Sequence, residues 1–119
     1  MNRLLLDENL ASLYREQLLR HDPGLIIRRI GGSDAPGIST LDPDLLIWCE
    51  EHDFVLVTNN RSTMPVHLTG HLVAGRHVPG IIVIRRRARV GEVLEHLLAL
   101  LGASFENEYR DRIVYVPLQ

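Results

Sequence analysis

Several features are scarce in this chain, and each scarcity excludes a class of protein. Lysine is absent, Cys49 is the only cysteine, and aromatic residues make up 5% of the 119 residues. A lone cysteine excludes an internal disulfide and fits a reducing compartment, so we predict a cytoplasmic location. No apolar run approaches the roughly 18 residues needed to span a bilayer, and the start lacks the apolar core of a signal peptide. We therefore expect no membrane association, and too few aromatic residues for strong sequence-specific stacking on single strands.

The formal net charge is only −2, but the charge is unevenly distributed. Residues 1–60 contain five arginines and ten carboxylates, whereas residues 61–119 contain eight arginines and five carboxylates. An acidic half followed by a basic half suits a site at which a metal ion and a polyanion meet.

Short apolar runs alternate with segments of helical spacing along the chain. Runs at 3–7, 25–30, 54–58, 80–84 and 113–116 predict five strands, and the segments between them predict four helices. Regular alternation predicts an α/β fold: one domain over residues 1–119, built as a three-layer α/β/α sandwich. We expect a mainly parallel sheet of four to five strands, right-handed crossovers, and the first strand lying between the second and the third.

Polar residues mark the predicted helix starts. We predict that Asn9 caps the first helix and that Asp42 caps the second, with Pro43 at its first position. Ser62 or Thr63 is predicted to cap the third helix.

Three polar side chains follow or flank the ends of the predicted strands. Asp7 ends strand one, Asp44 lies in the first turn of helix two, and Asn60 follows strand three. Open α/β sheets bind ligands at this edge, and Mg²⁺ and Mn²⁺ prefer oxygen ligands. A metal held there would polarise a phosphodiester and generate hydroxide from water. Alternatively, Asp7 only caps a helix and Asp44 only complements a helix dipole; for Asp44 the two interpretations stay equally open.

The chain also resembles a known family. LLLDENL at residues 4–10, an acidic helix start at 41–46 and VLVTNNR at 55–61 are similar to the PIN-like nucleases. The resemblance looks closest to a small branch often encoded beside toxin–antitoxin partners. It implies a Mg²⁺- or Mn²⁺-dependent ribonuclease acting on RNA, with Asp7 as first metal ligand, Asp44 as second acidic position and an antitoxin as protein partner.

The third acidic position departs from the family pattern. It usually reads Thr-x-Asp, whereas this chain has Thr58-Asn59-Asn60, and a further acidic position two residues on is Ser62. Asparagine keeps an oxygen ligand but removes a charge and a possible base. Two interpretations follow: a nuclease with a weakened site made of Asp7, Asp44 and Asn60, or a catalytically lapsed PIN-like module that binds RNA or a partner protein.

Arginines are concentrated after strand four. A cluster of this kind can neutralise a nucleic-acid backbone without reading its sequence, although any single arginine is more simply a solvated surface residue. The predicted phosphate-binding residues are Arg61, Arg85, Arg86, Arg87 and Arg89, with Arg76 expected to border the same edge.

The remaining candidates have plainer explanations. His67 and His71 lie one helical turn apart and could share a metal ion, but without a third ligand we favour an exposed helix face. Cys49 is expected in the core. The very apolar helix at 90–101 is either core or a stripe buried in a homodimer.

Overall fold

Five strands and four helices alternate in the computed structural model, which describes residues 2–10, 12–103 and 107–117. Within these ranges no helix has the length and apolarity needed to cross a membrane. The predicted α/β alternation is confirmed. The elements are β1 (Arg3–Leu6), α1 (Ser12–His21), β2 (Ile26–Arg29), α2 (Asp42–His52), β3 (Val55–Thr58), α3 (Met64–Val73), β4 (Ile81–Ile84), α4 (Val90–Ala103) and β5 (Ile113–Val116).

The five strands form one parallel sheet in the order β2-β1-β3-β4-β5. β1 lies between β2 and β3, as predicted. The chain steps from β1 to β2 in one direction and then crosses to β3 in the other, so the winding reverses between β1 and β3. Such a reversal opens a crevice at the carboxyl ends of the two strands. Asp7 and the segment after Thr58 lie at that point.

Successive leucines of β1 point to opposite faces of the sheet. Leu4 and Leu6 join one core layer with α1 and α4, whereas Leu5 joins a second layer with α2 and α3. Both faces are covered, which explains why the strand is apolar throughout rather than alternating. The apolar side of α4 is core in this arrangement, because Val93 and Leu97 are fully buried in the first layer. The homodimer stays a prediction.

The crossovers do not all have the same hand. α1 and α4 lie on one face, yet the step from β1 to β2 and the step from β4 to β5 run in opposite directions across the sheet. When the helices of two β-α-β units lie on the same face of a parallel sheet, units that move in opposite directions across the sheet have opposite handedness. The prediction of uniformly right-handed crossovers is therefore wrong, because α4 buries its apolar side against α1.

Two of the predicted helix caps are wrong. α1 begins at Ser12, and Asn9 lies before that start, with its backbone N–H donating to Asp7 Oδ1 at 3.0 Å. In α2 the capping position is Leu41, and Asp42 is already helical. Thr63 does occupy the capping position of α3, although its side chain makes no capping hydrogen bond. The side chain of Asp42 is thus free to contact a neighbouring loop instead of its own helix.

Candidate functional site

Asp7 lies where β1 meets β3, as the sequence predicts. Its backbone N–H donates to the Val57 carbonyl at 2.9 Å and so extends the pairing of the two strands by one residue. Its carboxylate accepts a hydrogen bond from Thr58 Oγ1 at 2.8 Å. Thr58 is only 1% exposed, so this hydrogen bond satisfies a buried hydroxyl at the carboxyl end of β3.

Asn60 continues the same network towards α2. Its backbone N–H donates to Thr58 Oγ1 at 3.1 Å, and its side-chain nitrogen donates to Asp42 Oδ2 at 2.8 Å. The side-chain oxygen accepts from the backbone N–H of Thr63 at 3.3 Å, at the start of α3. The amide therefore directs its nitrogen at a carboxylate and its oxygen at a helix terminus. An unbroken chain of hydrogen bonds joins Asp7, Thr58, Asn60 and Asp42.

Asp42, and not Asp44, is the carboxylate of α2 that contacts this network. Asp44 is exposed, and within the described ranges its side chain makes no hydrogen bond or ion pair. Each helical residue is rotated by about 100° from the last, so positions two apart face widely different directions. Sequence reasoning missed Asp42 because it assigned that residue to capping.

His67 adds an imidazole to the network, on the first turns of α3. Its Nε2 lies 3.6 Å from Asp42 Oδ2, and 28% of its side chain is exposed. His71 does not share this environment: it is 6% exposed, with Nε2 at 3.1 Å from Glu50 Oε1. The prediction that both histidines lie on an exposed helix face is wrong for His71, and the two histidines do not converge on one site.

The resemblance implies a metal ion held at the carboxyl edge. No group of three or more histidine, cysteine or carboxylate side chains converges to hold a metal ion in the part of the chain that the structure describes. The Asn60 nitrogen that faces Asp42 is a donor and cannot ligate a cation. Metal binding by Asp7, Asp44 and Asn60 therefore stays a prediction.

The arginines after β4 fall into two kinds. Arg85 is structural, because its Nε donates to the Pro117 carbonyl at 2.7 Å and its guanidinium lies over the Tyr115 ring at 5.2 Å. The other four predicted arginines are exposed, and over residues 2–10, 12–103 and 107–117 no hydrogen bond or ion pair to their side chains is found. They follow β3 or β4 and so lie at the same edge as Asp7: Arg61, Arg86, Arg87 and Arg89.

Arg76 lies at the opposite edge, so its predicted place beside Asp7 is wrong. Its Nε donates to Glu50 Oε1 at 3.0 Å, and the same oxygen faces His71. Burial acts to raise the pKa of Glu50, but a hydrogen bond from the His77 backbone and the charge of Arg76 outweigh it and lower that pKa. One carboxylate oxygen of Glu50 therefore contacts both His71 and Arg76 at the amino edge.

A second closed pair lies beside it, before β4 and β5. His77 Nδ1 lies 2.7 Å from Asp111 Oδ2, and the Val78 backbone N–H donates to Asp111 Oδ1 at 2.8 Å. Burial acts to raise the pKa of Asp111, but these two hydrogen bonds and the neighbouring charges lower it. The carboxylate of Asp111 thus joins the segment before β5 to the segment before β4.

A cavity also lies at the amino edge, opposite the network of Asp7. It measures about 470 Å³ and is bordered by Arg3, Asp53, Pro79 and Tyr109. Its arginine is already engaged, because Arg3 donates to the carbonyls of Asp53 and His52. In open parallel sheets ligands bind at the carboxyl edge. We therefore place the candidate site at the carboxyl edge, where exposed arginines follow β3 and β4 beside the network of Asp7.

Cys49 is core, as predicted. It is 0% exposed, and burial raises the pKa of its thiol to about 12. A thiol with that pKa stays protonated at neutral pH and is not a nucleophile.

The chain matches no protein-family model, no curated protein and no solved structure.

Proposed function

We propose that this chain is a PIN-like domain that binds RNA phosphates at the carboxyl edge, with an amide in place of the third carboxylate of a metal site. The observation that carries the proposal is the orientation of Asn60, whose nitrogen donates to Asp42 at 2.8 Å. That hydrogen bond engages an oxygen of Asp42 with a donor from the protein itself.

The charges at this edge support a polyanionic ligand. Four exposed arginines without side-chain partners in the described residues follow β3 and β4. They lie along the carboxyl edge of the sheet, and this stretch of the edge is called the rim. Unpaired guanidinium groups bind phosphate oxygens by paired hydrogen bonds and release counterions from the nucleic acid. The rim therefore favours backbone contact over base recognition.

The test is binding of a fluorescent single-stranded oligouridine of about 20 nucleotides, followed by anisotropy across a salt series. Joint replacement of Arg86, Arg87 and Arg89 by Ala is expected to weaken binding about tenfold or more, and to reduce the salt slope by about 2. Arg20→Ala, on the last turn of α1, is the matched control and is expected to leave affinity unchanged. Wild-type protein that does not bind, or a triple variant that binds with full affinity, would refute the proposal.

A second candidate is the metal-dependent ribonuclease implied by the resemblance, and the position of Asp7 favours it. A carboxylate at the switch crevice is where such an enzyme holds its ion, and Mg²⁺ often uses only one or two carboxylates. Cleavage of the same RNA with Mn²⁺ is measured for wild type, Asp7→Asn and Asn60→Asp. Cleavage by wild type that Asp7→Asn abolishes would favour the enzyme. Mn²⁺-dependent cleavage gained only in Asn60→Asp would support a lapsed metal site.

The partners and location rest on the resemblance and on composition. We propose a cytoplasmic protein with an antitoxin partner, and a homodimer is the oligomer to test. Light scattering of the purified chain, alone and with the product of any neighbouring gene, measures both assemblies directly.

A further inference from the structure

We propose that His67, oriented by Asp42, is a metal-independent catalytic base that activates the ribose 2′-hydroxyl of bound RNA. The inference rests on the RNA-binding function proposed above and adds a reaction to it. His67 would act directly on the substrate, and Asp42 would be its positioning residue.

The first support is the contact between the two side chains. His67 Nε2 faces Asp42 Oδ2 at 3.6 Å, a separation slightly longer than a hydrogen bond. Pairs of this kind are often looser without substrate and shorten when it binds. A carboxylate facing Nε2 favours the tautomer with the proton on that nitrogen, which leaves the lone pair on Nδ1. No other hydrogen bond or ion pair to the His67 ring is found in the described ranges, and 28% of the side chain is exposed.

The second support is that Asp42 is held in place from the opposite side. Asn60 donates to the same oxygen, Asp42 Oδ2, at 2.8 Å, and also donates to Thr63 Oγ1 at 2.8 Å. Thr63 is the capping residue of α3, the helix that carries His67. The amide therefore fixes the carboxylate relative to the helix of the base. This gives Asn60 a positive role that a lost metal ligand would not have.

The third support is the neighbourhood of the pair. Arg61 directly follows Asn60, is exposed, and makes no side-chain hydrogen bond or ion pair within the described chain. A phosphate bound by Arg61 would lie at the same rim as His67. The charged group that faces His67 from α2 is Asp42, since Glu50 of the same helix is engaged with Arg76 and His71. The imidazole thus has one carboxylate partner and an anion-binding residue close by in the chain.

The reaction is an internal transesterification. Nδ1 of His67 accepts the proton of the 2′-hydroxyl, the 2′-oxygen forms a bond to phosphorus, and the bond from phosphorus to the 5′-oxygen breaks. The leaving 5′-oxygen takes a proton from water, and the imidazolium returns its proton to solvent. The products are a 2′,3′-cyclic phosphate and a free 5′-hydroxyl, with no change of oxidation state. No metal ion enters any step.

The chain contains its own matched control. His77 and Asp111 form a second histidine–carboxylate pair, with a shorter separation of 2.7 Å, at the amino edge. That pair lies before β4 and β5, away from the rim that carries the free arginines. We expect activity only from the histidine–carboxylate pair beside the phosphate-binding rim, so the His77–Asp111 pair serves as the control.

The experiment measures cleavage of the single-stranded oligouridine in EDTA, and of the same oligomer with every 2′-hydroxyl removed. Wild type is expected to cleave only the RNA and to leave 2′,3′-cyclic phosphate ends. His67→Gln is expected to lower the rate about 100-fold with RNA affinity unchanged, whereas His77→Gln keeps the wild-type rate. Asp42→Asn is expected to lower the rate about tenfold and to move the acidic limb of the pH–rate profile, which a purely structural role would not do.

Each alternative outcome is decisive. RNA binding without cleavage in EDTA would overturn this inference and leave the proposed function intact, whereas absence of binding would overturn the proposed function itself. Equal rates for wild type and His67→Gln, or cleavage of the 2′-deoxy oligomer, would also overturn it. Circular dichroism of His67→Gln and His67→Asn distinguishes loss of the base from loss of the fold, and folded variants that stay inactive support the base.

Discussion

The two edges of the sheet differ in how their charged residues are used. At the amino edge Arg76 pairs with Glu50 and His77 pairs with Asp111, while Arg110 and Arg112 before β5 are exposed. At the carboxyl edge the hydrogen-bonded network ends at Asp42, with the His67 imidazole 3.6 Å away, and the arginines beside it have no side-chain partner in the described residues. Paired charges lower the energy of the folded chain, whereas unpaired charges at a rim are available to a ligand. Under the proposed function, this difference separates a structural edge from a binding edge.

Non-glycine residues with positive φ occur at both edges of the sheet, Asp53 and Asn107 at the amino edge among them. Arg87 has a φ of 60°, in the left-handed region that costs a non-glycine residue about 1 kcal/mol or more. Asp111 has a φ of 61°, but its two side-chain hydrogen bonds support that conformation. Strain with no compensating contact in the structure is a feature of functional loops.

The largest stability effect is expected at the amino edge. Glu50→Gln removes the charge that faces Arg76 and the buried His71, and should lower the free energy of unfolding by about 2 kcal/mol. Asp42→Asn, the matched change at the carboxyl edge, keeps an acceptor oxygen for Asn60 and should stay within about 0.5 kcal/mol. Urea unfolding of both variants measures the contrast, and equal losses would remove the distinction between the edges.

A smaller stability effect is expected at the amino edge, and it should depend on pH. The pKa of Asp111 is lowered in the fold, so its carboxylate stabilises the fold above the unfolded pKa near 3.9, and the contribution is lost as pH falls through the folded pKa. Asp111→Asn should therefore be about 1 kcal/mol less stable than wild type at neutral pH, with the gap closing below about pH 4. Unfolding curves at neutral and acidic pH test this, with the exposed Asp44→Asn as control. A gap that widens in acid would contradict the assignment.

The smallest expected effect is an increase in the free energy of unfolding, opposite in sign to the two effects above. Arg87→Gly relieves the left-handed strain and should raise the free energy of unfolding by about 0.5 kcal/mol, after the entropy cost of glycine is subtracted. The same variant should bind oligouridine more weakly, because a phosphate contact is lost. Arg86→Gly, at a position without positive φ, should weaken both stability and binding. Thermal unfolding and anisotropy measure the pair, and loss of stability in Arg87→Gly would show that the loop is not strained.

Much of the architecture could be predicted from local patterns. The apolar run ending at Asp7 located a strand end, and five such runs gave the five strands. The predicted start of α2 at Pro43 is one residue late, because Asp42 is already helical. Asp42, and not Asp44, therefore contacts Asn60. Helix starts depend on a few backbone hydrogen bonds, here those that Asp44 and Leu45 donate to the Leu41 carbonyl.

The sequence by itself determined the alternation of elements, the place of Asp7 and the excess of arginine after β4, because these depend on neighbouring residues and on period. Only the tertiary structure decided that α4 packs beside α1, that His71 is buried against Glu50, and that Asn60 joins Asp42 to the start of α3. These outcomes depend on which distant groups satisfy one another once water is excluded. Asn60 could be identified as a departure from a pattern, but the direction in which its amide points is set by partners on two other elements.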